Sequence, residues 1–244
     1  MTQAELGLGL IGIGRPWPTP DRAVPPPDQV SGLLEYAVAS GVRFFDTAPA
    51  YGISEERLGG FLHTLRAETR KSLVVATKCG EIWTPAHGSV IDHSPEALNT
   101  SVARSVDHLG RLDLLQLHQA SSEVVKEPSV IATLQQLQQS YGIPYLGASV
   151  KDVKACDAAL ESGIFTHLQM PINETRPDLV AWAHTNNVAI TIIGNRPLAS
   201  GQAVDRLGER LAYAAEAVGL GVVLTGTTNR SHLATTLTGW RQRY

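Results

Sequence analysis

Four residues that can polarise a carbonyl group and move a proton follow one another in the first half of the sequence. Asp46, Lys78 and His118 each lie at or just after the end of a short apolar run, and Tyr51 follows Asp46 by five residues. A carboxylate keeps a neighbouring lysine charged, and the ammonium favours the phenolate and lowers a phenol pKa from about 10. The imidazole can donate a hydrogen bond to a carbonyl oxygen. The set predicts a site that polarises C=O and delivers a proton as hydride reaches the carbon.

Short runs rich in Val, Ile and Leu recur along the chain and alternate with longer amphipathic stretches. Most runs are too continuous to be half-exposed, which favours parallel strands buried on both faces. The eight predicted strands are Leu8–Ile13, Val42–Asp46, Leu73–Thr77, Leu112–His118, Pro144–Ala148, His167–Gln169, Val188–Ile193 and Gly221–Leu224. Eight such units in a chain of about 250 residues predict a (β/α)8 TIM barrel, one domain over residues 1–244. An open doubly wound sheet has the same alternation and remains the alternative.

Amphipathic stretches between these runs predict the helices of the barrel. Ser94 is a good N-cap for one of them, because Pro95 follows it at the first helical position. The predicted helices are Gln29–Ser40, Pro95–Leu109, Ser129–Gln139, Asp152–Glu161, Pro177–Asn186, Arg206–Val218 and Asn229–Leu237. In a TIM barrel the functional side chains lie at the C-terminal ends of the strands, and the residues after these runs are polar.

Composition excludes several classes of partner. The net charge is -3 and no basic stripe is present, so nucleic acid is not an expected partner. Two cysteines, Cys79 and Cys156, cannot form a disulfide framework, which favours a reducing cytoplasm. No apolar run approaches the roughly 20 residues of a membrane span. Neither a membrane partner nor a metal is expected, since the ligand spacing of a metal site is absent. The sequence does not indicate an oligomeric state.

Several segments together resemble the aldo-keto reductase family. The residues 41–59, GVRFFDTAPAYGISEERLG, are similar to its signature sequence. Further matching segments follow in order: Val74–Lys78, Asp113–His118, Leu146–Ser149, Gln169 with its neighbours, Pro197–Gly201 and Gly226–Leu233. The resemblance covers nearly the whole chain and implies a (β/α)8 barrel that reduces a small aldehyde or ketone by hydride transfer from NADPH.

The resemblance also implies a role for each residue at the matching positions. Tyr51 would be the proton donor, supported by Asp46 and Lys78, and His118 would orient the substrate carbonyl. The implied cofactor-binding residues are Ser149 and Gln169 for the nicotinamide carboxamide, Arg196 and Gly201 for the diphosphate, and Thr227, Asn229 and Arg230 for the adenosine 2′-phosphate.

Some segments depart from the family pattern and keep other functions open. The N-terminal hairpin of the family looks absent, and the connection Pro197–Arg206 is short where relatives often carry a loop over the diphosphate. Thr235 and Thr236 stand where a Glu-Asn pair often holds the adenine. The alternatives are an acid–base lyase or cyclase, and a cofactor-sensing regulatory partner without redox turnover. Trp17 and Trp83 could be walls of a substrate pocket or ordinary loop anchors.

Overall fold

A computed structural model describes residues 3–19, 22–199 and 206–242 of the chain. Its strands are β1 Glu5–Gly9, β2 Phe44–Asp46, β3 Val74–Cys79, β4 Glu81–Thr84, β5 Gly88–Ile91, β6 Leu114–Leu117, β7 Tyr145–Ser149, β8 His167–Pro171, β9 Thr191–Asn195 and β10 Val222–Gly226. Eight of them form a closed barrel in the order β1-β10-β9-β8-β7-β6-β3-β2, and β4 and β5 form a separate hairpin. All pairings in the barrel are parallel. The predicted TIM barrel is therefore confirmed, and the open doubly wound sheet is excluded.

Helices surround the barrel and connect its strands. They are α1 Ile11–Gly14, α2 Pro27–Ala39, α3 Ser54–Thr64, α4 Ala67–Lys71, α5 Pro95–Leu109, α6 Pro128–Tyr141, α7 Val153–Ser162, α8 Pro177–Asn186, α9 Leu207–Val218 and α10 Arg230–Arg241. The Ser94 hydroxyl accepts a hydrogen bond from the backbone N–H of Ala97, so α5 begins with the predicted N-cap. None of the helices in the described ranges is long and apolar enough to cross a membrane.

Two apolar layers fill the structure, one outside the strands and one inside. The larger cluster lies between the strands and the helices, and includes Phe45, Val75 and Leu115. A second, smaller cluster contains Phe44, Ala76, Leu114, Ile193, Val222 and Leu224. Because successive residues of a strand point to opposite faces, the members of this second cluster share the inner face of the barrel. Residues two positions further along each strand share that face, which decides where the polar side chains point.

Two predicted segments differ from the structure, and some observed elements were not predicted. The first strand is Glu5–Gly9 and not Leu8–Ile13, because residues 5–9 pair continuously with β10 while Ile11–Gly14 turns into α1. The predicted strand Val188–Ile193 begins three residues later at Thr191, and Val188 is exposed. The hairpin of β4 and β5 and the helix α3 were not predicted from the hydrophobic pattern. The hairpin lacks a buried face, since one residue of β4 and none of β5 is buried.

Candidate active site

A buried ion pair stands at the centre of the barrel mouth. Lys78 Nζ lies 2.6 Å from Asp46 Oδ1, and each side chain is only 1% exposed. The lysine also donates to the backbone carbonyl of Thr47 over 3.0 Å. Asp46 and Lys78 project inward because they follow Phe44 and Ala76 of the inner cluster by two residues. Burial by itself would lower the pKa of Lys78, but the charges and hydrogen bonds of Asp46 and Tyr51 outweigh it and raise the pKa.

Tyr51 reaches the ion pair from a short turn after β2. The turn Pro49–Tyr51 is a 3-10 helix, and Lys78 Nζ lies 4.8 Å from the centroid of the Tyr51 ring. The end of α1 packs directly on this turn, since a Cβ at Gly14 would clash with the carbonyl oxygen of Tyr51. Burial raises the pKa of the Tyr51 phenol above its ordinary value, although Lys78 opposes this effect. The expectation of a net lowered phenol pKa is therefore wrong, because desolvation outweighs the neighbouring ammonium.

His118 follows β6, the strand next to β3, and lies beside an acidic residue from the hairpin. Its ring centroid is 6.1 Å from that of Tyr51, with the planes at 80°. Its Nδ1 lies 2.9 Å from Oε2 of Glu81, and both side chains are buried. The two atoms are not aligned as a hydrogen bond requires, so the contact is chiefly electrostatic. Burial lowers the pKa of His118, and Glu81 partly offsets that effect.

Amide side chains from three further strands complete the inner rim. Gln116 Nε2 donates to Asp46 Oδ1 over 3.1 Å, and Gln169 Nε2 lies 3.4 Å from Asp46 Oδ2. In the described part of the chain, buried carbonyl oxygens of Gln116, Gln169 and Asn195 accept no hydrogen bond. Ser149 ends β7 directly opposite Gln169 in the strand register. Unsatisfied acceptors of this kind suit an amide N–H₂ donor, so this rim fits a nicotinamide carboxamide.

Basic and aromatic side chains surround the outer part of the mouth. Arg196 follows β9 with a positive φ of 54°, and its guanidinium carbon lies 5.9 Å from the ring of Trp17. Arg15 lies between Trp17 and Trp83, at 5.7 and 5.5 Å from the two rings. The two tryptophans thus flank Arg15, whose charge also interacts with Glu81 and Tyr51.

The residues expected near the adenosine end lie together after β10. Asn229 is the N-cap of α10, and its Oδ1 accepts from the backbone N–H groups of Ser231 and His232. Thr227 accepts a hydrogen bond from the N–H of Asn229, and exposed Arg230 lies 4.6 Å from the ring of Tyr36. The structure therefore brings Thr227, Asn229 and Arg230 to one helix N-terminus, at the same end of the barrel as the ion pair. Gly201 lies outside the described residues.

Two residues of this site were missed by the sequence prediction. Gln116 precedes His118 by two residues, so the alternation of the strand could have placed it on the inner face. Glu81 had no comparable signal, because it reaches His118 only through the unpredicted hairpin.

No group of three or more His, Cys, Asp or Glu residues is arranged for a metal within residues 3–19, 22–199 and 206–242. Burial raises the pKa of the Cys79 thiol to about 12, which argues against a thiolate nucleophile.

Comparison with known proteins identifies the family. The model of the aldo/keto reductase family matches residues 5–208. A crystal structure from Pseudomonas aeruginosa, assigned as an aldo-keto reductase, is 28% identical, with a TM-score of 0.83 over 99% of this chain and 91% of that chain. D-threo-aldose 1-dehydrogenase of Pseudomonas sp. is 36% identical over 136 residues, which cover 46% of this chain and 39% of the relative. NADH-specific methylglyoxal reductase of Escherichia coli is 31% identical over 182 residues, which cover 67% of this chain and 53% of the relative.

The match to these two curated relatives thus spans 39% and 53% of their own length. The family match itself is far more extensive, because it runs from the first strand of the barrel into α9. The barrel, the ion pair at its mouth and this match agree, and the chain belongs to the aldo/keto reductase family.

Proposed function

We propose that this protein reduces a small aldehyde or ketone reversibly, with NADPH as the hydride donor and Tyr51 as the proton donor. The observation that carries this proposal is the buried Asp46–Lys78 ion pair with the Tyr51 ring beside it, 4.8 Å from Lys78 Nζ. A buried charge pair is costly to desolvate, and ionisable groups with perturbed pKa values cluster at functional sites. Family membership and relatives named as dehydrogenases and reductases support the same reaction class.

The residues for the cofactor are proposed from the fit of their polar groups. Bound NADPH would supply the hydride at the barrel mouth. Ser149 and Gln169 would hold its carboxamide, and the unpartnered Oε1 of Gln169 is a ready acceptor for that group. Arg196 and Gly201 are proposed for the diphosphate. Thr227, Asn229 and Arg230 are proposed for the 2′-phosphate, because a helix N-terminus beside a guanidinium favours a phosphate dianion.

Each catalytic side chain has a task that follows from its surroundings. The Tyr51 phenol, whose pKa is raised by burial, is protonated at neutral pH and can give its proton to the substrate oxygen. Lys78 stabilises the phenolate that remains, and Asp46 keeps Lys78 charged and in place. His118 lies edge-on to the Tyr51 ring and orients the carbonyl oxygen beside that phenol. Trp17 and Trp83 flank Arg15 and are candidates for walls of the substrate pocket.

Replacing the phenol tests this proposal directly. Tyr51→Phe removes the hydroxyl and leaves the ring, so carbonyl reduction should fall about 10²–10⁴-fold while NADPH still binds. Tyr141→Phe is the matched control, because Tyr141 is exposed at the end of α6. Steady-state reduction of a panel of small aldehydes and ketones, with NADPH titrated against tryptophan fluorescence, gives both readouts. Near-wild-type turnover in the Tyr51 variant would show that another group protonates the product. Failure of the wild type to bind NADPH would instead favour a lyase, cyclase or regulatory function.

A further inference from the structure

The role of His118 depends on which of its ring nitrogens carries a proton, and Glu81 controls that choice. Nδ1 of His118 lies 2.9 Å from Oε2 of Glu81. We propose that Glu81 is a positioning residue that keeps a proton on Nδ1, so that His118 can donate from Nε2 to a substrate oxygen only as an imidazolium. The inference rests on the proposed carbonyl reduction for its consequence in catalysis, but the state of the ring can be measured without substrate.

The local chain holds Glu81 firmly against the imidazole. Gly80 turns the chain from β3 into the hairpin with a φ of +95°, and a Cβ there would clash with the ring of His93. Glu81 then pairs with Ile91 at the base of the hairpin. Gln119, held at a φ of 52°, donates from Nε2 to the same Oε2 over 2.7 Å. The carboxylate therefore has its own supports and does not depend on the histidine for its position.

Glu81 stays ionised throughout the working pH range. Its burial opposes ionisation, but the close contact with His118 and hydrogen bonds from Gln119 and Ser89 lower its carboxyl pKa to about 2. An unprotonated Nδ1 at this distance would place two lone pairs against each other in a buried site. A proton on Nδ1 removes that repulsion even where the N–H is imperfectly aligned, because the attraction to the carboxylate is electrostatic. The neutral ring is then the Nδ1–H tautomer, with only a lone pair on Nε2.

This tautomer makes the contribution of His118 to the reaction depend on the protonation of its ring. In the reduction direction the ring must bind a second proton before Nε2 can donate to the carbonyl oxygen. In the oxidation direction the alcohol gives its hydroxyl proton back to the Tyr51 phenolate, and the imidazolium donates from Nε2 to the same oxygen. No bond to His118 needs to break for this role, since the proton that reaches the product oxygen still comes from Tyr51. Glu81 favours the imidazolium, and it therefore sets the pH range in which reduction is fast.

Other charged groups around the ring fix the direction of the expected change. Asp46 on β2 and Glu81 on β4 favour the imidazolium, while burial and Lys78 on β3 disfavour it. The phenol of Tyr51 faces the ring from the turn after β2, and His93 Nε2 lies 2.7 Å from the carbonyl oxygen of His118. Removing the charge of Glu81 takes away one of the two favourable carboxylates, so the pKa of His118 must fall.

The experiment compares Glu81→Gln with Glu56→Gln, which neutralises an exposed carboxylate on the neighbouring helix α3. For the wild type we expect kcat/KM for reduction to fall as pH rises through the pKa of His118. In Glu81→Gln the midpoint of this fall should occur at a pH lower by about 1 or more. At a pH above both midpoints, a midpoint lower by about 1 in pH makes reduction about tenfold slower, because only the imidazolium fraction is active. Glu81→Asp keeps the charge and should restore part of the wild-type midpoint, whereas Glu56→Gln should leave the profile unchanged.

Nitrogen NMR of the imidazole ring separates this inference from the proposed function. In ¹⁵N-histidine-labelled protein, His118 is assigned by the loss of its signals in His118→Asn. Its neutral form should show a protonated Nδ1 and an unprotonated Nε2, and Glu81→Gln should lower its titration midpoint or change the tautomer. A neutral ring protonated at Nε2 in the wild type, or the same titration in both proteins, would overturn the inference even if carbonyl reduction is confirmed. If the NMR spectra show the expected tautomer but the protein reduces no carbonyl compound, the role of Glu81 stands and the proposed function is rejected.

Discussion

Asp46→Asn should strongly destabilise the fold, because it removes the charge that compensates a buried lysine. Lys78 and Asp46 are both 1% exposed and 2.6 Å apart, and Gln116 also donates to this carboxylate over 3.1 Å. Asparagine has nearly the same shape, so the loss comes from electrostatics and not from a cavity. Breaking a buried pair by removing one partner costs about 3–5 kcal/mol. For a chain of this size that corresponds to a fall in Tm of roughly 6–20 °C, at about 2–4 °C per kcal/mol.

Urea denaturation at two pH values measures this effect and checks its cause. In the wild type the pKa of Lys78 is raised above 10.5, so its contribution is present at neutral pH and is lost as pH rises through the folded-state pKa. In Asp46→Asn burial is no longer offset by Asp46, and we expect the pKa of Lys78 to fall below 10.5. The variant should then gain stability as pH rises from 7 towards 10, and the gap to the wild type should narrow.

Asp178→Asn provides the matched control for this measurement. Asp178 on α8 pairs over 2.8 Å with Arg176, the N-cap residue of that helix, but the two side chains are 48% and 29% exposed. Solvent screens such a pair, so its loss should cost less than about 1 kcal/mol. An Asp46→Asn variant that loses no more than this control would refute the reasoning, since the central pair would then contribute nothing beyond an ordinary surface contact. A gap that widens with pH would show that the lysine is not the group responsible.

Three further predictions concern the cofactor and the thiols. NADPH should bind more tightly than NADH, and Arg230→Ala should remove most of the difference in Kd; equal affinities in the wild type would contradict the assignment of Arg230. Thr235 and Thr236 bond their hydroxyls to carbonyls of α10, over 3.1 and 2.9 Å, and offer little to an adenine. One lost charge-assisted hydrogen bond costs roughly 1.5–3 kcal/mol, so cofactor release should be about tenfold or more faster than in relatives with a Glu-Asn pair. Stopped-flow fluorescence measures the release rate, which should exceed the turnover rate. Release as slow as turnover would contradict this prediction. Cys79 and Cys156, whose pKa values are both raised to about 12 by burial, should not react with a thiol reagent until the protein is unfolded, and native labelling at neutral pH would contradict this.

The sequence predicted the barrel because buried parallel strands carry a strong local signal. Val42–Asp46 and Leu112–His118 contain the observed β2 and β6, since a run of apolar residues is required on both faces of such a strand. The first strand was misplaced because its alternating glycines, Glu5-Leu-Gly-Leu-Gly, have low strand propensity. The position of β1 is instead set by its pairing with β10, which is distant in sequence and cannot be predicted from the local hydrophobic pattern.

Part of the candidate site could likewise be predicted from the local sequence, and the rest depends on contacts between distant segments. Asp46, Lys78 and His118 could be placed at strand ends from the pattern alone, and the structure brings all three to one mouth. The pKa of Tyr51 could not be predicted in the right direction, because it depends on how far burial outweighs Lys78. Glu81 could not be predicted as a neighbour of His118, because their contact requires the turn at Gly80. The catalytic and cofactor roles of these residues stay predictions until the variants are measured.

The alternation of the strands explains why the core and the candidate site occur in one barrel. Phe44, Ala76 and Leu114 fill the inside of the barrel, and the residues two positions later on the same strands include Asp46 and Lys78. The apolar layer below leaves these charges no contact with water from beneath, so each must be neutralised by the other or by an amide from a neighbouring strand. The same constraint raises the pKa of the phenol and keeps it protonated. The apolar layer below the site thus makes the Asp46–Lys78 pair costly to bury. For the same physical reason the electrostatic interactions in the site are strong, and they keep the proton on the Tyr51 hydroxyl until a substrate oxygen takes it.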